Sequence, residues 1–513
     1  MRHVWIIVAI WAALAASSAH AEWLKASSRH FHIYANGPPE TIRTLATRLE
    51  QVDAALRLIS GVQDSAESAA NPVTVYVLPS TDAVQRLIGA RNVAGIYFGR
   101  ASGAVAFTPR HGGENELDPQ IVLFHEYAHH FLLAQSAVAY PAWLSEGYAE
   151  FVSTARFPKE GVMIGAPAQH RAWGLLDADK LPIQTLLAPG ARLTSLQWDQ
   201  IYGRGWLLTH YLFFGGKRPG QIGKYLAALN SGTPPLDAAT QAFGDLKQLD
   251  RDLDAYLMAS RMTVRTIGHA RLPTITVDVR PLTPGERALI TMRMTSTRGV
   301  DAKTAAPLHA RATRAAAPFP NDPVAQGWLA EIAFDAGKED EAEAAADRAL
   351  AADPRSVQAL LYKSMVRLRR AAAAKAPADD KAWKEARFWI VKANRINADA
   401  AAPLLLFYDS FAMAGAQPSK SAVLGLYRAQ ELAPQDEELR FRAARQFLTD
   451  GQIADAKRAL RPLAFSPHAS ADNAAAKLLA MVEKGSTGPA AIAALDAEAK
   501  AAADKAAVRI AKE

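Results

Sequence analysis

Two histidines four residues apart, with a glutamate beside the first, constrain this chain more than any other feature. Residues 125–129 are H-E-Y-A-H, and positions i and i+4 of a helix lie on one face, one turn apart. The imidazoles of His125 and His129 can therefore bind one zinc ion, with Glu126 beside them to activate a water molecule. The pattern predicts a buried helix over 117–133 that carries a Zn²⁺ site.

The flanking sequence favours this helix and adds a third ligand. Asp118 is a typical N-cap residue, and Pro119 follows at the first helical position, where proline is favoured. A second helix, predicted over 141–151, would bring Glu146 back toward the histidines. Three protein ligands leave a fourth position for water, which is the catalytic arrangement of zinc. The chain has no cysteine, so a thiolate zinc site is excluded.

These residues resemble the gluzincin metallopeptidases, the superfamily of thermolysin and the zinc aminopeptidases. There, H-E-x-x-H is followed by a ligand glutamate on the next helix, and W-L-S-E-G-Y-A-E-F around Glu146 is similar to the W-L-x-E-G-x-A block of the aminopeptidase branch. The resemblance covers about residues 28–260. It implies that His125, His129 and Glu146 bind zinc and that Glu126 is the general base.

The resemblance also implies roles for two further residues. Glu150, one turn after Glu146, would hold a ligand histidine through its other ring nitrogen, as zinc-bound histidines usually require. A solvated surface glutamate is the alternative. Tyr202 resembles a tyrosine of the aminopeptidase branch that stabilises the tetrahedral oxyanion, and an ordinary core tyrosine is the alternative. His210, two turns further along the same helix, competes for that role.

Three other histidines have no predicted part in the site. His130 follows the second ligand directly, so it points about 100° away around the helix. We expect it to pack against a neighbour or to lie at the surface. His111 and His170 lie in predicted loops without a motif around them, and both are expected to be solvated.

An extended segment upstream of the motif is predicted to contact substrate. Val105–Thr108 would be an edge strand over the zinc cleft, where strand addition binds an extended peptide through its backbone. The aminopeptidase branch carries a glutamate on this segment that binds the free amine of the substrate. This sequence has none there, and the difference favours an endopeptidase or a specialised hydrolase.

The remaining chain predicts an α+β fold followed by an all-α tetratricopeptide-like repeat domain. Before the motif, β-like runs alternate with helical spacing, and after Glu150 the pattern is helical. A mixed N-lobe and a helical C-lobe, with zinc between them, are therefore expected. The predicted divisions are a signal peptide (1–21), the metallopeptidase domain (22–270), a connector (271–303), the repeats (304–485) and an Ala/Lys-rich terminal helix (486–513).

The repeats are predicted from small residues that recur seven positions apart. The pairs begin at Ala342, Ala386 and Ala422, and Ala456 is followed by Leu463 at the same offset. The last interval between first members is 34 residues, which is the period of tetratricopeptide repeats. The first interval, 44 residues, fits one repeat plus an insertion at 371–380. About four degenerate repeats would form a concave groove for a protein partner. A generic Ala-rich helical bundle is the alternative.

The first residues predict export. Arg2 and His3 precede an apolar stretch at 4–16, and an A-x-A cleavage site occupies 19–21. We therefore expect a secretory signal peptide cleaved after Ala21. The mature chain would be periplasmic or secreted and would have no stable membrane span, with an uncleaved anchor as the alternative.

Together these features predict an exported zinc metallopeptidase. It would hydrolyse peptide bonds in a peptide or protein substrate, and the repeats would recruit substrate or a protein partner. The net charge of +7 over 513 residues comes without basic clusters that interleave with aromatic residues, so no nucleic-acid partner is expected. Two alternatives stay open. One is an envelope scaffold whose zinc domain is not proteolytic, and the other is a hydrolase of non-peptide bonds.

Overall fold

A computed structural model describes residues 22–65, 69–91, 93–112, 117–135, 138–189, 193–466 and 473–510. The predicted signal peptide, residues 1–21, lies outside the described residues. The described chain combines an N-terminal mixed sheet, a helical lobe and a long succession of paired helices. The α+β class and the helical, repeat-like C-terminal part agree with the sequence-based prediction.

Most of the described strands form one six-stranded sheet. The strands are β1 (Trp23–Ser27), β2 (Phe31–Asn36), β3 (Val73–Ser80), β4 (Ile96–Phe98), β5 (Val105–His111), β6 (Gly161–Ile164), β7 (Arg265–Gly268) and β8 (Asp278–Pro281). The sheet has the order β4-β5-β3-β2-β1-β8, and β6 pairs with β7 in a separate hairpin. Strands β2, β3 and β5 are parallel to one another, and the other pairings are antiparallel.

The predicted position of the edge strand is wrong. Val105–Thr108 lies within β5, which pairs with β3 on one side and with β4 on the other. The short strand β4 returns antiparallel along β5 and takes the hydrogen-bonding groups that the prediction left for substrate. Among the described strands, β4 has no second neighbour, so Ile96–Phe98 is the edge on this side of the sheet.

The helices of the first part surround the sheet and form the lobe beyond it. They are α1 (Pro39–Ser60), α2 (Thr81–Ile88), α3 (Pro119–Gln135), α4 (Ala142–Ser153), α5 (Ala172–Leu176), α6 (Ile183–Leu187), α7 (Ser195–Phe214), α8 (Gln221–Asn230), α9 (Pro235–Phe243) and α10 (Leu246–Leu257), with 3₁₀ turns at Gln169–Arg171 and His269–Arg271. Helix α4 crosses α7 closely at two glycines. A Cβ atom on Gly147 would overlap the backbone of Gly205, so these glycines let the two site-bearing helices touch.

The succession of paired helices begins within the predicted connector. It comprises α11 (Pro284–Arg298), α12 (Ala302–Ala316), α13 (Pro323–Asp335), α14 (Glu339–Ala352), α15 (Val357–Ala373), α16 (Lys381–Ile396), α17 (Ala401–Met413), α18 (Lys420–Leu432), α19 (Glu437–Thr449), α20 (Ile453–Ala464), α21 (Ala474–Glu483) and α22 (Gly488–Ile510). The small residues on which the repeat prediction rested are fully buried, namely Ala342, Ala349, Ala386, Ala393, Ala422, Ala429 and Ala456. They lie on α14, α16, α18 and α20, the second helix of each pair.

The two parts share a hydrophobic core across the sheet. On one face, Ile33 and Val75 pack with α1 and α3. On the other face, the rings of Tyr34 and Tyr76 stack with centroids 5.2 Å apart, and Trp328 of α13 lies edge-on to Tyr34 at 6.3 Å. Because both faces of the sheet are apolar, both must be covered, and the first paired helices cover the second face.

No helix among the residues that the structure describes combines the length and the apolar character needed to cross a membrane.

Candidate metal centre

Helices α3 and α4 bring the three predicted ligands together. Asp118 accepts a hydrogen bond from the backbone N–H of Gln120 at 2.8 Å, which caps α3 at its start. The Nε2 atoms of His125 and His129 are 3.2 Å apart. From α4, Oε2 of Glu146 lies 3.4 Å from the first nitrogen and 3.5 Å from the second.

The spacing of these three atoms fits one tetrahedral ion. Zinc binds histidine nitrogen and carboxylate oxygen at about 2.0–2.2 Å, so two ligand atoms of a tetrahedral site lie about 3.3–3.5 Å apart. Two of the observed separations, 3.4 and 3.5 Å, fall in this range, and the third, 3.2 Å, lies just below it. Two imidazoles and one carboxylate are also a donor set of catalytic zinc, so the residues present fit the metal.

Carboxylates control the charge of the first histidine. Burial by itself lowers the pKa of an imidazole, but hydrogen bonds to Glu146 and Glu150, and their charges, raise the pKa of His125 to about 10. The cluster therefore stabilises positive charge at this position. A divalent cation supplies such charge in exchange for the proton.

Glu150 lies behind His125, on the side away from the other ligands. Its Oε1 is 3.4 Å from Nδ1 of His125, and Arg171 donates to the same oxygen at 2.6 Å. Its Oε2 is 2.5 Å from Nε2 of His170. Burial raises the pKa of a carboxyl group, but these partners hold the pKa of Glu150 well below its usual range. An ionised, fixed carboxylate at this place can orient the His125 ring.

The expectation that His170 is solvated is wrong. Its side chain is only 12% exposed and contacts Glu150, because the 3₁₀ turn folds back over α4. The sequence-based prediction also assigned no role to Arg171. This residue donates to Glu150 through one guanidinium nitrogen and to Oδ1 of Asp199, at 2.9 Å, through the other. In the sequence, the only signal for either residue is that His170 and Arg171 are adjacent basic residues and follow the helix that carries Glu150.

Glu126 faces a cavity of about 300 Å³ that adjoins the three candidate ligands. With the other described residues it makes no hydrogen bond or ion pair. Its side chain therefore borders the cavity without a hydrogen-bond or ion-pair partner among the described residues. This position, beside the ligands but not among them, is the one that a general base requires.

Tyr202 of α7 lines the same cavity. Its ring centroid lies 5.9 Å from that of His125, and the guanidinium of Arg171 lies 4.7 Å from its centroid. Burial raises the pKa of Tyr202, so the phenol keeps its proton at neutral pH. It can donate a hydrogen bond into the cavity.

Three other histidines of the described chain contribute no atom to the triangle of candidate ligands. His210 is buried between Tyr256, whose hydroxyl is 2.8 Å from its Nδ1, and the carbonyl oxygen of Gly165, 2.9 Å from its Nε2. Both of its nitrogens are therefore occupied by structural contacts. The hydroxyl of Tyr97 is 2.6 Å from Nδ1 of His130, which ties edge strand β4 to α3. His111 is exposed at the end of β5, as expected.

No protein-family model matches the chain, and no curated protein matches it. Among solved structures, a thermophilic TPR protein from Thermus thermophilus is similar to part of the chain. It has 21% sequence identity, the alignment covers 36% of this chain and 92% of that chain, and the TM-score is 0.29. Support for the repeats comes from the succession of paired helices α11 to α22 itself.

Proposed function

We propose that this protein is a zinc metallopeptidase, a hydrolase that cleaves peptide bonds. The observation that supports the proposal is the triangle of His125 Nε2, His129 Nε2 and Glu146 Oε2, with sides of 3.2–3.5 Å. Glu126 lies in the same cavity. A scaffold would have no need for a carboxylate in the cavity beside the ligand triangle.

His125, His129 and Glu146 would hold the metal. When bound, zinc acidifies water and polarises a carbonyl group as a Lewis acid. Glu126 would accept the proton of the attacking water and pass it to the leaving amine. Tyr202 would donate its phenolic proton in a hydrogen bond to the developing oxyanion. Glu150 would hold the His125 ring in the orientation that points Nε2 at the triangle.

A scaffold is the second candidate, because the repeats also expose apolar side chains. Phe388 on α16 is 58% exposed, and so is Leu424 on α18. Exposed aromatic and aliphatic side chains on a helical array suit the binding of a protein partner. In this alternative, the repeats bind the partner and the metal domain does not cleave peptides.

Zinc content and hydrolysis, measured together, test the proposal. Purified mature protein and the His129→Ala variant are examined by elemental analysis, and both are incubated with unfolded casein and with a library of short peptides. We expect about one zinc per wild-type chain, its loss in the variant, and cleavage that a chelator stops. Bound zinc without cleavage of any substrate would favour the scaffold. Absence of zinc from the wild-type protein would overturn the metal site itself.

A further inference from the structure

One wall of the candidate metal cavity belongs to the paired helices. Glu437, at the start of α19, lines the cavity together with Pro462 of α20 and Ser466 just beyond it. The facing walls carry Glu126 and the candidate ligands. Residues more than 300 positions apart in the sequence therefore share one cavity.

The loop after β4 holds this wall in place. The backbone N–H of Ala101 donates to Oδ2 of Asp436 at 2.7 Å. A Cβ atom on Gly99 would approach the carbonyl oxygen of Gln435 to 2.6 Å, so only glycine permits this close contact. The side chain of Ala101 packs into a cluster otherwise made of residues from α17 to α19. These contacts fix the backbone directly before Glu437 against the sheet edge.

A second contact fixes the wall at its other end. Arg461 of α20 donates to the backbone carbonyl of Asn230, at the end of α8. The side chain of Asn230 in turn accepts from the backbone N–H of Ala139 at 2.8 Å and donates to its carbonyl at 3.2 Å. Ala139 lies between Val138 and Tyr140, two further residues of the cavity wall. The paired helices are therefore anchored on both sides of the opening.

The charge of the cavity is acidic. Its described lining contains three carboxylates, those of Glu126, Glu146 and Glu437, and no lysine or arginine. A divalent cation at the ligand triangle would balance Glu126 and Glu146, which leaves one negative charge. Glu437 is exposed and has no ion-pair contact with the described chain, although its charge acts on the buried guanidinium of Arg440 on the same helix. Its neighbour Glu438 is paired with Arg442. A third carboxylate in the wall of a cavity that contains no lysine or arginine favours a cationic group on the ligand.

We propose that the paired helices form part of the substrate site, and that Glu437 binds an ammonium group of a short peptide. The inference rests on the proposed function and adds a substrate class to it. The cavity volume of about 300 Å³ is at the lower end of the range of small-ligand pockets. A short peptide fits this space, and a folded protein does not. The ammonium group comes from a free N-terminus or from a lysine side chain.

Peptide binding to a non-cleaving variant tests this proposal separately from hydrolysis. Zinc-loaded Glu126→Gln protein is titrated in a calorimeter with acetylated alanine tetrapeptides that carry one lysine or one norleucine at each position in turn. The alanine tetrapeptide with a free amine is the additional probe. Lysine binding tighter than norleucine would identify a side-chain ammonium as the ligand group, and tighter binding of the free amine would identify the N-terminus.

Two neighbouring glutamates provide the variant and its matched control. We expect Glu437→Gln, added to the Glu126→Gln protein, to reduce the preference for the cationic peptide roughly tenfold, as expected for loss of a hydrogen bond between charged groups. Glu438→Gln should keep the preference, because that side chain lies outside the cavity and pairs with Arg442. Circular dichroism and zinc content confirm that each variant is folded and loaded.

Three results would overturn the inference: equal binding of cationic and neutral peptides, an equal effect of both substitutions, or no peptide binding at all. If the wild-type protein cleaves peptides while Glu437→Gln leaves the preference unchanged, the peptidase proposal stands and the role of Glu437 falls. If no substrate is cleaved, the calorimetric result still decides whether Glu437 binds an ammonium group.

Discussion

Two clusters of histidine and carboxylate lie on different sides of α3, and only one of them has the properties of a metal site. His125, His129 and Glu146 form the first, and His30, Glu50 and Asp53 form the second. Both contain residue types that bind metals, and in each the candidate ligand atoms lie within 4.8 Å of one another. Neither composition nor proximity separates them.

The second cluster differs because protein donors already occupy its ligand atoms. His30 lies 2.8 Å from Glu50 through Nδ1 and 3.0 Å from Asp64 through Nε2. Asp53 accepts from Nε of Arg57 at 2.7 Å and from the hydroxyl of Tyr127 at 2.5 Å. A cation there would have to displace a guanidinium. A metal site needs lone pairs that converge on a space not already held by arginine N–H or tyrosine O–H groups, as Asp53 is here.

Zinc content should separate the two clusters most sharply. We expect Glu146→Ala to lose stoichiometric zinc, because two imidazoles alone leave the ion without its charged ligand. Glu50→Ala should keep about one zinc per chain. Elemental analysis after dialysis against trace zinc checks both variants. Retention by Glu146→Ala combined with loss by Glu50→Ala would reverse the assignment of the two clusters.

Folding stability, in contrast to zinc binding, should depend on the second cluster. Asp53→Ala leaves the buried guanidinium of Arg57 without its carboxylate, so we expect the free energy of unfolding to fall by about 3–5 kcal/mol. Glu40→Ala on the same helix is the control, because its side chain is 83% exposed where it meets Arg43 and an exposed ion pair contributes at most about 1 kcal/mol. Urea unfolding of the two variants measures the difference. Equal destabilisation would show that the buried network is not the main contributor.

A substitution of Glu150 tests whether metal binding by the first cluster needs the carboxylate that contacts Nδ1 of His125. Glu150→Gln keeps the shape of the side chain but removes the charge beside His125, and we expect zinc affinity to fall roughly 10- to 100-fold. Competition with a chromophoric chelator measures the affinity. Glu160→Gln, an exposed glutamate after the same helix, should leave it unchanged. An unaffected Glu150→Gln protein would mean that this carboxylate only anchors His170 and Arg171.

The pH dependence of stability should give the smallest effect, and it belongs to the second cluster. Burial opposes the charge of His30, but Glu50 and Asp53 raise the pKa of His30 above its ordinary value of 6.5. The stability that charged His30 contributes to the fold is complete below pH 6.5 and is lost as pH rises through the raised pKa of His30. Burial likewise opposes the charge of Glu50, but its bonds to His30 lower the pKa of Glu50 below 4.5. The stability that ionised Glu50 contributes is complete above pH 4.5 and is lost as pH falls through the lowered pKa of Glu50.

The pair of His30 and Glu50 should therefore contribute most to folding stability between about pH 4.5 and 6.5. The measurement is the melting temperature of wild type and His30→Gln from pH 4 to 9. We expect the difference between the two proteins to be greatest inside this window and to shrink on both sides. A difference that does not change with pH would exclude the titration of this pair as its cause.

Local rules were enough for much of the fold and for bringing the three candidate ligands together. The spacing of His125 and His129 lies within a single helix, and the cap at Asp118 lies one residue before that helix. The sequence after Glu150 also predicted helices, and α6 to α10 lie there, because each amphipathic face is a local pattern. Seven-residue spacing of alanines located the buried faces of α14, α16, α18 and α20. In all these cases the interacting residues lie close together in the sequence, within one or two turns of the same helix.

Long-range pairing accounts for what the sequence did not predict. β1 pairs with β8 across some 250 residues, with Ser27 opposite Asp278, and such short strands carry no periodic signal of their own. The same limit explains why β4, and not Val105–Thr108, is the sheet edge. Which strand is outermost depends on the partners of all the others.

The sequence by itself determined the chemistry of the candidate centre, because its ligands come from two consecutive helices. Tertiary structure alone decided what surrounds that centre. It brought His170 onto Glu150 and placed Glu437 in the cavity wall by joining Ala101 to Asp436 across 335 residues. Contacts at such separations depend on how complete elements pack, and no local spacing rule records them.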